Sequence, residues 1–122
     1  ELYLWLSDPT VITYIRNALK RVRKKESAML LASQNLEDFN QEGIRELTKP
    51  LFAIPPHQFL FNAGAVDKKF YMEALQLEES EYNLIRFPQR GVCLYRCGNE
   101  RYLLEVHAPA YKEALFGKAG GR

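Results

Sequence analysis

Cysteine is scarce in this 122-residue chain. Its two cysteines, Cys93 and Cys97, are too few for a disulfide framework at this size. Their spacing, taken with His57 and His107, fits neither common zinc pattern, so both read as reduced structural thiols. Long apolar runs are also missing. No stretch approaches the roughly 20 apolar residues of a membrane span, and no charged-then-apolar leader opens the chain. An excess of one charge is missing too: 17 basic against 15 acidic residues leave a net +2, so the chain as a whole is not a general polyanion binder. No Ser sits in a strand-to-helix elbow and no Ser or Cys is set beside a His base, which removes the nucleophilic hydrolases. No Gly-x4-Gly-Lys-Ser/Thr run occurs. Gly117-Lys118 is followed by Ala119 in a Gly-rich terminal stretch and does not substitute for one. Together these features fit a reduced, cytosolic chain.

A hydrophobic content of 47% and an aromatic content of 12% support a packed core and argue against disorder. The length suits one domain, and about 60–70% of its unfolded surface is available for burial. Positive charge is local: Arg16, Lys20, Arg21, Arg23, Lys24 and Lys25 fall close together, whereas Leu36 to Glu46 leans acidic. The sequence opens on Glu1 and enters the apolar run Leu2 to Leu6 at once. That pattern leads us to expect a chain cut inside a domain, with a sheet edge left bare near Leu2 to Leu6.

Asp8-Pro9-Thr10 is a helix start. From there Val11, Ile12, Ile15, Ala18, Leu19 and Val22 recur at helical spacing, with Arg16, Lys20 and Arg23 opposite. Ala28-Met29-Leu30-Leu31-Ala32 does not alternate and is bounded by polar residues, the pattern of a strand covered on both faces of a parallel sheet. A short turn is expected at Asn35 to Phe39, and a helix from Gly43 to Leu51, stopped near Pro50. A second buried strand is expected at His57 to Phe61. Val66, Phe70, Tyr71, Ala74 and Leu75 share a helical face, and Leu77 to Phe87 reads as another helix with Glu78, Glu79 and Glu81 in its first turn. Val92–Tyr95 and Tyr102–Val106 flank Gly98-Asn99, a hairpin signal. A helix over Pro109 to Phe116 precedes a flexible tail, residues 117–122. The pattern is α/β with an antiparallel edge. Tyr3, Trp5 and Tyr14 read as core or interface anchors.

The run Arg23-Lys24, eight residues, Ser33-Gln34 carries the most chemistry. It puts two cations at the end of a basic helix and a carboxamide at the carboxyl end of a strand, where open α/β sheets bind ligands. A Gln there can orient water against a phosphate, and an Arg can neutralise charge developing in phosphoryl transfer. The same residues also suit a solvated basic face followed by a polar strand end. Contact of the basic helix with DNA phosphates is a further possibility, without reading of bases.

The order of these features resembles the C-terminal motor domain of conjugative-transfer ATPases, the VirB-four-like, TraC/TrbE class of type IV secretion systems. The residues that carry the resemblance are Glu1-Leu2-Tyr3-Leu4-Trp5-Leu6-Ser7-Asp8-Pro9, the Arg23-Lys24-x8-Ser33-Gln34 run, Phe59-Leu60-Phe61-Asn62, Leu77 to Ile85, and Gly91 to Val106. The resemblance implies the C-terminal portion of a RecA-like P-loop NTPase three-layer fold over residues 1–116. It implies that Glu1 is the Walker B glutamate acting as base on water, that Gln34 is the sensor of the γ-phosphate, and that Arg23 and Lys24 face nucleotide or a neighbouring subunit. Arg90 is implied as an inter-subunit arginine. ATP and Mg2+ would serve the intact parent, whereas this fragment, without the Walker A loop, is expected to bind neither and to be inactive alone. The parent is implied to be a homo-hexamer working with other subunits of a secretion or conjugation machine. It would lie at the cytoplasmic face of the bacterial membrane, held there through partners, with possible DNA contact. The alternative is a non-catalytic α/β module that docks partner subunits or nucleic acid through its basic helix and hairpin.

Overall fold

The structure, a computed structural model, describes residues 2–40 and 42–117. Helix α1 spans Pro9–Arg21, α2 Arg45–Ala53, α3 Lys68–Leu75, α4 Glu79–Leu84 and α5 Ala110–Phe116. Strands β1 (His57–Leu60), β2 (Val92–Cys97) and β3 (Glu100–Glu105) form one antiparallel sheet in the order β1-β2-β3. Mixed helix and sheet content agrees with the α/β class expected from the sequence.

Local chemistry explains most of the boundaries. Asp8 caps α1 by accepting the Thr10 N–H at 2.7 Å, with Pro9 in the first turn. The apolar stripe of α1 turns inward at Ile12 and Leu19, both buried. Asp67 caps α3 by accepting the Phe70 N–H at 2.9 Å. Glu81 accepts the Glu78 N–H at 2.9 Å and so closes the first turn of α4. The hairpin is as expected: Cys97 pairs with Glu100 around Gly98-Asn99, and Gly98 takes a φ of 57° that the tight turn requires. Gly91 is the other demanding glycine. Its φ is 79°, and a Cβ there would run into the Val106 carbonyl.

Two apolar clusters hold the fold. The first joins Leu2, Leu6, Ile12, Leu19, Phe39, Ile44 and Leu51. The second joins Leu60, Tyr71, Leu75, Leu77, Ile85 and Leu94, beneath the inner face of the sheet. Leu36 and Phe52 pack against both. Thr48 is the buried polar side chain of this region, and its hydroxyl lies 2.7 Å from the Phe39 carbonyl and 3.0 Å from that of Arg45.

Four expectations need correction. The Ala28–Ala32 segment has no regular secondary structure and forms no ladder: among the described residues its one backbone hydrogen bond is Leu2 N–H to Ala32 carbonyl, 3.1 Å. Leu30 is 90% exposed, so the segment has the composition of a central strand without strands beside it. Residues Leu2–Trp5 form a 3-10 turn, not a sheet edge, because Leu2 and Leu6 turn into the first cluster. Helix α2 passes Pro50, as the expected bounds allowed, but runs beyond the expected end at Leu51 to Ala53. The missing Pro N–H deprives only the carbonyl of exposed Glu46, while Leu51 and Phe52 anchor the last turn in the core. Trp5 and Tyr14 are exposed and are therefore not core anchors; the Tyr3 side chain lies outside what is described.

Candidate functional site

Helix α1 ends in cations, and its last turn tightens into a 3-10 turn over Val22–Lys25 that carries Arg23 and Lys24. Glu26 stops this turn in the left-handed region at φ 52°, and Ser27 N–H closes it on the Val22 carbonyl at 3.1 Å. Lys20, Arg21, Arg23, Lys24 and Lys25 are exposed, as a solvated or ligand-facing basic surface must be. Arg16, expected on the same face, is instead half-buried, and its Nε is enclosed without a hydrogen-bond partner among the described residues.

From Ser27 the chain runs without regular secondary structure to Ser33, whose hydroxyl donates to the Asn35 carbonyl at 3.4 Å. Gln34 lies in a bend, exposed, shortly before the 3-10 turn Glu37–Asn40. The basic turn and the Ser33-Gln34 bend thus stand at opposite ends of one unladdered segment. Glu1 lies outside the described residues. Arg90 is exposed in the loop that enters β2, where Val106 N–H donates to the Gly91 carbonyl at 2.9 Å and fixes the backbone beside it.

A groove lies elsewhere. About 520 Å³ in volume, it is walled by α2, α3 and the inner face of the sheet, and none of Arg23, Lys24, Gln34 or Arg90 lines it. Phe39, Phe52 and Leu75 contribute apolar surface, and Arg45, Lys49, Arg96 and Glu73 bring charge. Arg96 sits inward because it is two residues from buried Leu94 on the same side of β2. Its guanidinium donates to the Leu75 carbonyl. Burial and the nearby Arg101 lower its pKa, and Glu81 opposes them. Sequence reasoning missed this groove. The available signal was an Arg alternating with buried Leu94 in a half-buried strand.

A second missed feature is on the outer face of the sheet. Phe59, Tyr95 and Tyr102 are paired in register across the three strands. Their rings stack in a row, with centroids 4.8 Å apart for Phe59–Tyr95 and 6.1 Å for Tyr95–Tyr102. Tyr95 Oη is 2.8 Å from His57 Nδ1, and the Tyr102 hydroxyl donates to the Glu100 carboxylate, so both hydroxyls are engaged. The hydrogen bond to Glu100 raises the Tyr102 pKa. Cys93 is buried and Cys97 half-buried, both as free thiols; burial raises the Cys93 pKa. Among the described residues no group of His, Cys, Asp and Glu converges as a metal site, and no helix is long and apolar enough to cross a membrane.

No protein-family model matches the sequence, and no curated protein matches it significantly. Among solved structures, VirB4 of Thermoanaerobacter pseudethanolicus is similar at a TM-score of 0.83 and 26% identity. That likeness covers 92% of this chain and 31% of the VirB4 chain, so the sequence spans about a third of that protein's length. In structure, then, this chain is VirB4-like over nearly all of its length.

Proposed function

We propose that the chain contributes the sensing part of a nucleotide-driven motor of a type IV secretion system. The observation that carries this reading is the VirB4-like fold across nearly the whole chain. The open Ala28–Ala32 segment supports it: an apolar run with unladdered backbone suits a strand completed by others in a larger parallel sheet. On this reading Gln34 stands at the carboxyl end of that strand, where it reports the state of a terminal phosphate. Arg23 and Lys24 then face nucleotide or a neighbouring subunit, and Arg90 reaches across a subunit boundary. Glu1, outside the described residues, is assigned the role of base on water.

The chain's own residues do not fit a complete nucleotide site. It lacks the Gly-x4-Gly-Lys-Ser/Thr loop whose N–H groups cradle phosphate, and hydrolysis is not assigned to it alone. ATP, Mg2+, a hexameric state, other secretion or conjugation subunits, DNA contact and placement at the cytoplasmic face of the membrane all belong to the proposal for the parent protein. The test is Gln34→Ala in the full-length parent. Nucleotide binding is expected to survive while turnover falls about 10²-fold or more, the scale of losing one orienting group. Unchanged turnover would reduce Gln34 to a segment terminus.

One observation favours a second reading, a non-catalytic docking module. Phe59 and Tyr102 are exposed at the two ends of the stacked row, with Tyr95 half-buried between them, and exposed aromatic surface marks interaction sites. A full-length parent that neither binds nor hydrolyses ATP, yet loses a partner subunit on Phe59→Ser, would select this reading.

A further inference from the structure

The groove between the two apolar clusters is charged out of balance. Arg45, Lys49 and Arg96 line it against one carboxylate, Glu73. Lys49 is engaged by Glu46 at 2.6 Å, and Glu73 faces Lys69 at 3.9 Å. Neither Arg45 nor Arg96 forms an ion pair among the described residues. Arg96 is half-buried and gives one hydrogen bond, to a neutral carbonyl, leaving most of its donors without a protein acceptor. None of those donors is sealed off from the groove, so an anion there can fill the guanidinium fork.

The surroundings narrow the choice of anion. Phe39, Phe52, Phe70 and Leu75 give the groove an apolar lining beside the cation. A carboxylate next to an apolar side chain matches both the cation and that lining. The volume, about 520 Å³, is within the range of sites that enclose a ligand of this size.

We propose that this groove binds an acidic–apolar segment of a partner protein, with a carboxylate on Arg96 and the adjoining apolar side chain against Phe39 and Phe52. Arg45 sits at the exposed rim and attracts a second acidic residue of the segment. The proposal is independent of the nucleotide reading, because none of Arg23, Lys24, Gln34 and Arg90 lines the groove.

The test is fluorescence anisotropy of the 122-residue chain with a labelled peptide of alternating Glu and Leu, and with its Gln-for-Glu analogue. The Glu peptide is expected to bind at least about tenfold more tightly than the analogue, and Arg96→Met to weaken it by a similar factor. Arg45→Ala should weaken it by a smaller factor, and Lys24→Ala should leave it unchanged. Circular dichroism checks that Arg96→Met is folded; if it is not, Arg45→Ala decides, since that side chain is exposed. Equal binding of the two peptides, no binding of either, loss on Lys24→Ala, or full displacement by equimolar ATP would each overturn the proposal.

Discussion

The two halves of the molecule satisfy their backbones differently. Residues 57–105 combine a fully laddered sheet with short capped helices, and the central strand β2 is paired on both sides. Residues 2–54 are helices and 3-10 turns around Ile12 and Leu51, with an apolar irregular segment at 28–32 whose backbone makes one hydrogen bond among the described residues. The difference teaches that apolar composition alone does not make a strand. A helix completes its hydrogen bonds within itself, whereas a strand exists only where another strand lies beside it. The segment that carries the family-like run is the one whose pairing is left open.

The sharpest way to test this contrast is to hollow out each cluster in turn. Ile12 is fully buried in the first and Leu94 is 1% exposed in the second. Each replaced by Ala should cost about 2–5 kcal/mol, measured by urea unfolding. If the halves share one cooperative core through Leu36 and Phe52, both variants shift a single transition. Two separate transitions would show that the clusters unfold independently.

Alkaline pH should strike the second half by a smaller amount. Tyr71 is buried there, and its hydroxyl donates to the Phe61 carbonyl at 2.7 Å. Burial first, and Tyr82 second, push its pKa up to about 12 from an ordinary 10. The unfolded chain therefore loses this proton before the folded one does. The contribution is complete below about pH 10 and is lost as pH rises toward 12, a change of roughly 2–3 kcal/mol. Tyr71→Phe should flatten that limb in a pH series of unfolding midpoints; an unchanged limb would assign it to other groups.

The smallest expected effect is in the first half. Asp8→Ala removes the acceptor that Thr10 N–H uses at 2.7 Å, and should cost about 1 kcal/mol. Asp8→Asn should restore most of it. A loss in the Ala variant equal to that of Ile12→Ala would mean that the α1 entry does more than cap the helix.

Legibility followed the range of the interactions. The α1 start at Asp8-Pro9, its buried stripe, the α3 face and the Gly98-Asn99 hairpin were all readable, since each rests on residues a few positions apart. The end of α2, expected at Leu51, lies at Ala53 because packing of Leu51 and Phe52 against the core carries the last turn onward. The strand at 28–32 was misread because its neighbours, not its residues, decide it. Of the candidate site residues, Arg23, Lys24, Gln34 and Arg90 were found as exposed side chains, a property that sequence patterning already suggested. The groove at Arg96 and the aromatic row at Tyr95 were invisible, because each assembles residues from distant parts of the chain.

By itself, the sequence determined the caps, the amphipathic helices, the hairpin turn and the clustering of cations before an apolar run. These depend on local sterics and on periodicity, which the order of residues fixes directly. Tertiary structure alone decided that β1 pairs with β2, that Leu36 and Phe52 join two cores, and that Arg96 is half-buried with its guanidinium on the Leu75 carbonyl. Non-local pairing and burial depend on which surfaces exclude water from one another, and that is a property of the folded arrangement.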